Sequence, residues 1–299
     1  TKIKNPIGLA AGFDKSAEVY NSLFKLGFGF IEIGTITPKK QFGNPKPRVF
    51  RLESDKALIN RLGFNNDGLD LVSDRLKRNA PNGFLGANIG PNKSSDNRVE
   101  DYLNCLDKIH SLVNYITINI SSPNTPGLRE FHDEKILQSL LQKITEFTKK
   151  KNIKSPLTLK VSPDIKESEI SNIIELVKKF RINGVIISNT TDTNREKLVG
   201  KNKNEEGGLS GEPLNKLSNN LIKKFYKEIK KDIVIIGVGG VNSGISAYEK
   251  MTSGASLLQL YTGMVYEGPG IVKKIKSELI DILKKEKIKN VNDIVGTGS

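Results

Sequence analysis

The chain has no tryptophan, one cysteine, two methionines and two histidines in 299 residues. A single cysteine can form neither an internal disulfide nor a cysteine metal cluster. It falls in "YLNCLDKI", a helical pattern, which makes Cys105 a core residue. The two histidines, His110 and His132, stand in no motif, so the commonest general base of enzyme chemistry has no evident place. No apolar run reaches the ~20 residues that a membrane-spanning helix needs, and no secretory signal pattern is present. Aromatic residues are 6% of the chain and are not interleaved with its basic clusters. The net charge of +14 therefore does not indicate nucleic-acid binding. Its lysines gather in "KKKNIK" (149–154), "IKKFYKEIKK" (222–231) and "ILKKEKIK" (282–289), which read as solvated helix faces.

What is present is glycine, 27 residues of it, and 36% hydrophobic content. Short apolar runs alternate with amphipathic segments, and nothing resembles a linker. The predicted strands are 7–13, 30–35, 84–90, 115–121, 157–162, 184–190, 233–240 and 256–262. Helical patterns include 16–27, 167–180, 244–254 and 271–286. Eight strand–helix units imply parallel strands with right-handed crossovers. That number points to a closed (β/α)8 TIM barrel occupying 1–299 as a single domain. Residues 38–65 form a long insertion after strand two, expected to supply extra strands or a lid. Residues 191–214 are a second long loop, and long loops in compact domains tend to be functional.

In such barrels chemistry gathers at the C-terminal strand ends. Those ends carry Gly12-Phe13-Asp14-Lys15, Gly34-Thr35, Asn88, Asn119 with Ser121 and Ser122, Lys160, Ser188-Asn189-Thr190, Gly239-Gly240 and Tyr261-Thr262. A lysine inside the apolar run "LTLKVS" is costly to bury without an anion; the ordinary alternative is an edge lysine reaching water. Asparagines at three strand ends offer donors and acceptors that suit a planar heterocycle, although each alone is also a common turn former. The glycines of "GVGGVNSG" (237–244) let backbone N–H groups approach a phosphate at a helix N-terminus. The reading is a phosphate-bearing cofactor with its head group near Lys160.

"NPIGLAAGFDK", "EIGTITPKKQFGNPKPRVFRL", "INRLGFNN", "NISSPNTPGLR", "ISNTT", "GGLSG", "GVGGVNSG" and "ASLLQLYTG" together resemble the dihydroorotate dehydrogenases, and among them the quinone-dependent class 2 branch. The resemblance runs in order along essentially the whole chain. It implies an FMN-binding barrel that oxidises (S)-dihydroorotate to orotate in pyrimidine biosynthesis, with a quinone as final electron acceptor. It implies Ser122 as the base, where class 1 enzymes carry a cysteine; Cys105 lies too early for that role. The serine would take the C5 proton while C6 delivers hydride to the flavin N5. The proton would leave through Thr125 or ordered water. By the same resemblance Lys15, Asn60, Arg61, Leu62, Gly63, Phe64, Asn119, Asn124, Asn189 and Thr190 hold the substrate. The flavin contacts are Ala10, Ala11, Gly12, Phe13, Asp14, Thr35, Asn88, Asn119, Lys160, Ser188, Gly211, Gly240, Tyr261 and Thr262. No metal is implied. Class 2 members carry an N-terminal helical extension that lies on the membrane and forms the quinone tunnel; here the sequence is expected to begin at the barrel, with that part trimmed or uncounted. The full-length protein is expected as a monomer, peripheral on the cytoplasmic face of a bacterial cell membrane, or on the mitochondrial inner membrane if eukaryotic. The rival enzyme reading is another FMN barrel such as a tRNA dihydrouridine synthase. A non-enzymatic phosphate-binding barrel is a third.

Overall fold

A computed structural model describes residues 3–299. Its strands are β1 (Ile7–Leu9), β2 (Phe30–Ile36), β3 (Val49–Leu52), β4 (Ala57–Asn60), β5 (Phe84–Ile89), β6 (Tyr115–Asn119), β7 (Leu157–Val161), β8 (Gly184–Ile187), β9 (Gly208–Gly211), β10 (Val234–Val238) and β11 (Leu257–Leu260). Its α-helices are α1 (Tyr20–Phe24), α2 (Leu69–Arg78), α3 (Arg98–Ile109), α4 (Glu134–Lys150), α5 (Glu167–Lys179), α6 (Asn215–Ile229), α7 (Gly244–Thr252), α8 (Thr262–Glu267) and α9 (Ile271–Lys285). Strands β1, β11, β10, β8, β7, β6, β5 and β2 close into a parallel barrel in that order. The expected TIM-barrel class is the observed one.

The barrel strands are buried on both faces, and every residue of β2, β6 and β7 is buried. This is why they read as unbroken apolar runs rather than alternating ones. The helices cover the outside with one apolar stripe each. Helix α4 buries Leu137, Leu140, Leu141 and Ile144, a spacing that puts all four on one face. Each such side chain contributes about 1.5–3 kcal/mol through burial. The Asp133 carboxylate accepts the Lys135 and Ile136 N–H groups to start that helix. Inside the lower barrel Phe30, Tyr115, Ile186 and Ile236 pack together. Glycine is required beside those rings: a Cβ at Gly86 would lie 2.1 Å from Tyr115. The N-terminal end is thus plugged, and open space is left at the C-terminal end.

Several expected boundaries shrink. The run 16–27 yields only α1, Tyr20–Phe24. The Asp14 carboxylate captures the N–H groups of Glu18 and Val19, at 2.9 Å each, and Ala17 sits at φ 55°, so residues 14–19 are a held loop. Strand runs that continued to 13, 190, 240 and 262 stop at Leu9, Ile187, Val238 and Leu260, where the backbone leaves the sheet. The insertion 38–65 does contain extra strands, and they do not stand alone. Strands β3 and β4 pair antiparallel, and β4 pairs antiparallel with β9 from the second long loop. The Asp55 carboxylate accepts the Val199 and Gly200 N–H groups at 3.0 and 2.8 Å, so the two loops lock into one cap. No helix among the described residues is long and apolar enough to cross a membrane.

Candidate active site

A cleft lies between the C-terminal barrel rim and this cap, with about 1060 Å³ of empty space, open solvent at its mouth included. The barrel side presents Ala10, Ala11, Gly12, Lys15, Thr35, Asn119, Lys160, Ser188, Asn189, Thr190, Gly240, Tyr261 and Thr262. The cap and its flanks add Asn60, Leu62, Gly63, Phe64 and Gly211, and the loop after β6 adds Ser122 and Asn124. Residues expected from opposite ends of the sequence therefore share one cavity.

Four expected residues lie off its lining. Asp14 is the carboxylate that holds the 14–19 loop, as described above. Phe13 packs edge-on against Tyr261, ring centroids 5.6 Å apart, and so supports the wall. Arg61 turns outward, pairing with Glu205 at 2.8 Å and lying over the Phe50 ring. Asn88 sits beneath the floor, where its Oδ1 accepts from Thr35 Oγ1 at 2.6 Å and from Asn119 Nδ2 at 3.0 Å. These bonds hold the Asn119 amide from below.

Ser122 is buried, and its Oγ accepts the Asn124 N–H at 3.3 Å. Asn124 Nδ2 donates to the Asn60 carbonyl at 3.0 Å, which laces the serine loop to the cap. Thr125 is buried, but it lies off the cleft lining. Neither histidine lines the cleft. His132 is held between the Arg129 carbonyl and the Ser162 N–H, and burial lowers its pKa. Cys105 is buried in α3, where burial raises its pKa well above the ordinary thiol range.

The charges of the cleft are cationic. Lys160 is 5% exposed; burial lowers its pKa, and the Glu32 carboxylate opposes that. The pKa of Lys15 is lowered to about 8, first by burial and then by Lys160 and Arg48. No carboxylate offsets Lys15, so the site is primed for an anion. Beside β10, Gly239 and Gly240 hold φ of 112° and 74°. A Cβ at Gly240 would lie 2.5 Å from Asn215 Cβ, so only glycine lets the backbone turn there. The helix start that faces this turn is α8, because Thr262 and Gly263 line the cleft. The start of α7 is closed by its own partners: Ser243 Oγ accepts the Ser246 N–H and the Glu278 carboxylate accepts the Gly244 N–H. The Gly239-Gly240 turn thus lies next to the start of α8, while the first N–H groups of α7 already have partners.

Sequence reading missed Ser210, whose hydroxyl lies 2.8 Å from that of Thr262, although it stands in the quoted "GGLSG". It also missed Glu32. A charge within "FIEIGT" is the same signal that singled out Lys160.

Comparison with known proteins agrees with this geometry. Residues 1–283 match the family model described as dihydroorotate dehydrogenase. The chain is 49% identical over 282 residues to a dihydroorotate dehydrogenase (quinone) of Christiangramia forsetii, covering 94% of this chain and 82% of that protein. It is 47% identical over 296 residues to the protein of the same name from Bartonella tribocorum, covering 98% and 82%. A structure of the Eimeria tenella enzyme in complex with ferulenol superposes with a TM-score of 0.94 at 38% identity, covering 99% of this chain and 85% of that one. With the model match running through every strand of the barrel, the chain belongs to the dihydroorotate dehydrogenase family.

Proposed function

We propose that this cleft oxidises (S)-dihydroorotate to orotate, with Ser122 as base, FMN as hydride acceptor and a quinone as final acceptor. The activity follows from the family: the chain is a dihydroorotate dehydrogenase of the quinone type. The observation that carries the site assignment is the convergence of Ser122, Lys15, Lys160 and the amides of Asn60, Asn119, Asn124 and Asn189 on one cavity. Lys15 offers a charge to the substrate carboxylate, and the amides offer donors and acceptors to its ring. Ser122 takes the C5 proton. The Asn124 N–H directed at its Oγ stabilises negative charge as it develops there, and the cap keeps bulk water away. The proton then passes to solvent through ordered water or Thr125.

The residues present fit a flavin mononucleotide. Lys160 is a buried cation facing the cavity, Ala10, Ala11 and Gly12 leave a flat wall, and the Gly239-Gly240 turn supplies one phosphate cradle. When bound, the flavin supplies the hydride acceptor. Lys160 would lie beside the ring and supply positive charge to it. A tRNA dihydrouridine synthase would need a cysteine acid in the cleft, and Cys105 is buried in α3; the relatives' names likewise favour the dihydroorotate reading. In keeping with the quinone, we propose that the protein sits peripherally on the cytoplasmic face of a bacterial cell membrane, or on the mitochondrial inner membrane if eukaryotic, as a monomer, with residues 1–299 one domain.

The test is dihydroorotate-dependent reduction of a soluble dye, with NAD and fumarate as competing acceptors. Turnover with the dye, with a long-chain quinone only where the N-terminal extension is present, and none with NAD or fumarate, is expected. Yellow protein that ignored dihydroorotate would refute the substrate, and colourless folded protein would refute the cofactor.

A further inference from the structure

Beneath the cleft floor lies a carboxylate that no step above uses. Glu32, on β2, is fully buried in the barrel interior. Its Oε1 accepts from Asn88 Nδ2 at 2.9 Å. Its Oε2 accepts from Tyr115 Oη at 2.8 Å, Thr117 Oγ1 at 3.1 Å and Gln259 Nε2 at 3.0 Å. A buried ion is expensive unless its lone pairs are satisfied, and here four donors satisfy it. Tyr115 keeps its proton, because burial and the adjacent Glu32 both raise its pKa.

An ionised carboxylate only accepts hydrogen bonds, so it dictates which end of a neighbouring amide faces it. Asn88 must turn its NH2 to Glu32, and its Oδ1 then points to the floor. There the oxygen receives Thr35 Oγ1 and Asn119 Nδ2. Asn119 is held from its other end as well: its Oδ1 accepts the Ser121 N–H at 3.1 Å and Ser121 Oγ at 2.8 Å. Ser121 Oγ in turn accepts Asn189 Nδ2 at 2.9 Å. Two amides that line the cleft, Asn119 and Asn189, are thus joined to one buried charge by a chain whose direction is fixed at each link.

We propose that Glu32 is a positioning residue for dihydroorotate recognition: through Asn88 it aims the Asn119 amide, and through Ser121 that of Asn189, at the substrate ring. The inference rests on the reading of the cleft as the dihydroorotate site. A glutamine at position 32 has one accepting end. Placed toward Tyr115, Thr117 and Gln259, that oxygen keeps three hydrogen bonds, and its NH2 then faces Asn88. Asn88 must invert and bring its own NH2 against that of Asn119. Asn119 cannot follow, because the Ser121 backbone N–H requires its oxygen. Its NH2, which also donates to Thr35 Oγ1 at 3.0 Å, then keeps only that bond and meets the inverted Asn88 NH2, so Asn119 is displaced instead. An aspartate at position 88 removes the conflict, since it accepts from both sides.

The experiment uses cofactor-loaded protein and measures orotate affinity by calorimetry, dihydroorotate KM and kcat with a dye, and melting temperature. Wild-type binding of orotate checks the substrate reading by itself; the variants, compared with wild type, check the positioning. Glu32→Gln should weaken orotate about tenfold or more, the scale of one buried group left unsatisfied, and raise KM alike while kcat falls less. The double variant Glu32→Gln with Asn88→Asp should recover to within about threefold of wild type. Glu32→Gln that fails to fold while the double variant folds and binds supports the proposal equally. Orotate affinity of Glu32→Gln within threefold of wild type, a double variant no better than the single, or failure of both to fold would overturn it.

Discussion

As the proposed partner of the substrate carboxylate, Lys15 should tie substrate binding to pH. In the protein without substrate its pKa is lowered to about 8 by burial, by Lys160 and by Arg48. A substrate carboxylate beside it favours the charged form and raises that pKa. Orotate therefore binds the protonated lysine, and proton uptake accompanies binding once the pH exceeds 8. At pH 7 about 90% of Lys15 carries its proton, and at pH 9 about 10% does, for a group titrating near 8. Orotate affinity should thus fall about tenfold between pH 7 and pH 9, and stay nearly flat from pH 6 to 7. Titration calorimetry in buffers of different ionisation heat reads both the affinity and the proton uptake. Lys15→Arg keeps its charge throughout this range and should abolish the step while retaining binding. Lys15→Met should bind weakly with no step. An affinity for wild type that is constant to pH 9, or a step that persists unchanged in Lys15→Arg, would refute the assignment.

Ser122→Ala should slow flavin reduction by dihydroorotate about 10²–10⁴-fold with orotate affinity nearly intact; stopped-flow reduction at the wild-type rate would place the base elsewhere. Lys160→Ala should loosen the cofactor and lower its reduction potential, since the buried cation favours the reduced anion; an unchanged potential would contradict this. Cofactor extracted from the purified protein should have the mass of FMN, and FAD would contradict the single phosphate cradle. Lys250 is fully buried, bonded to Ser218 and Asn219, and burial lowers its pKa to about 7. From there to the ordinary lysine value of about 10.4 the unfolded chain holds the proton and the folded one does not, so this group makes stability rise with pH across that window. The melting temperature of Lys250→Met minus that of wild type should be largest below pH 7 and shrink toward pH 10; a difference independent of pH would count against it.

The eight barrel strands were legible because each is covered on both faces and so reads as a short apolar run. Their ends were not, because Ala10, Ser188 and Gly239 continue the small, apolar character after the backbone has left the sheet to floor the cleft. Helix α1 was overread: its pattern is helical, but the Asp14 carboxylate outcompetes the helix for the Glu18 and Val19 N–H groups. Strand β9, "GLSG", has almost no strand propensity, and what makes it a strand is β4, 148 positions earlier at the Asn60–Gly208 contact. Local sequence carries no trace of such a pairing. Most of the cleft lining was visible as polar residues at strand ends. Glu32 stands out as a charge inside "FIEIGT", as Lys160 does in "LTLKVS", but its four partners, like the outward turn of Arg61 toward Glu205, come from distant segments that a one-dimensional pattern does not bring together.

The order in which the cleft is assembled follows from the register of its walls. Strand β1 has β2 on one side and β11 on the other, and Ala10 donates its N–H to the Leu260 carbonyl. The wall that begins at Ala10 is therefore finished only by Tyr261 and Thr262. During synthesis, a ribosome-bound chain that has not yet exposed these residues has an open seam where the cofactor would rest. A flavin held as proposed would then be loaded only after β11 has closed the barrel, and a truncation before β11 would remove one wall of the cleft outright.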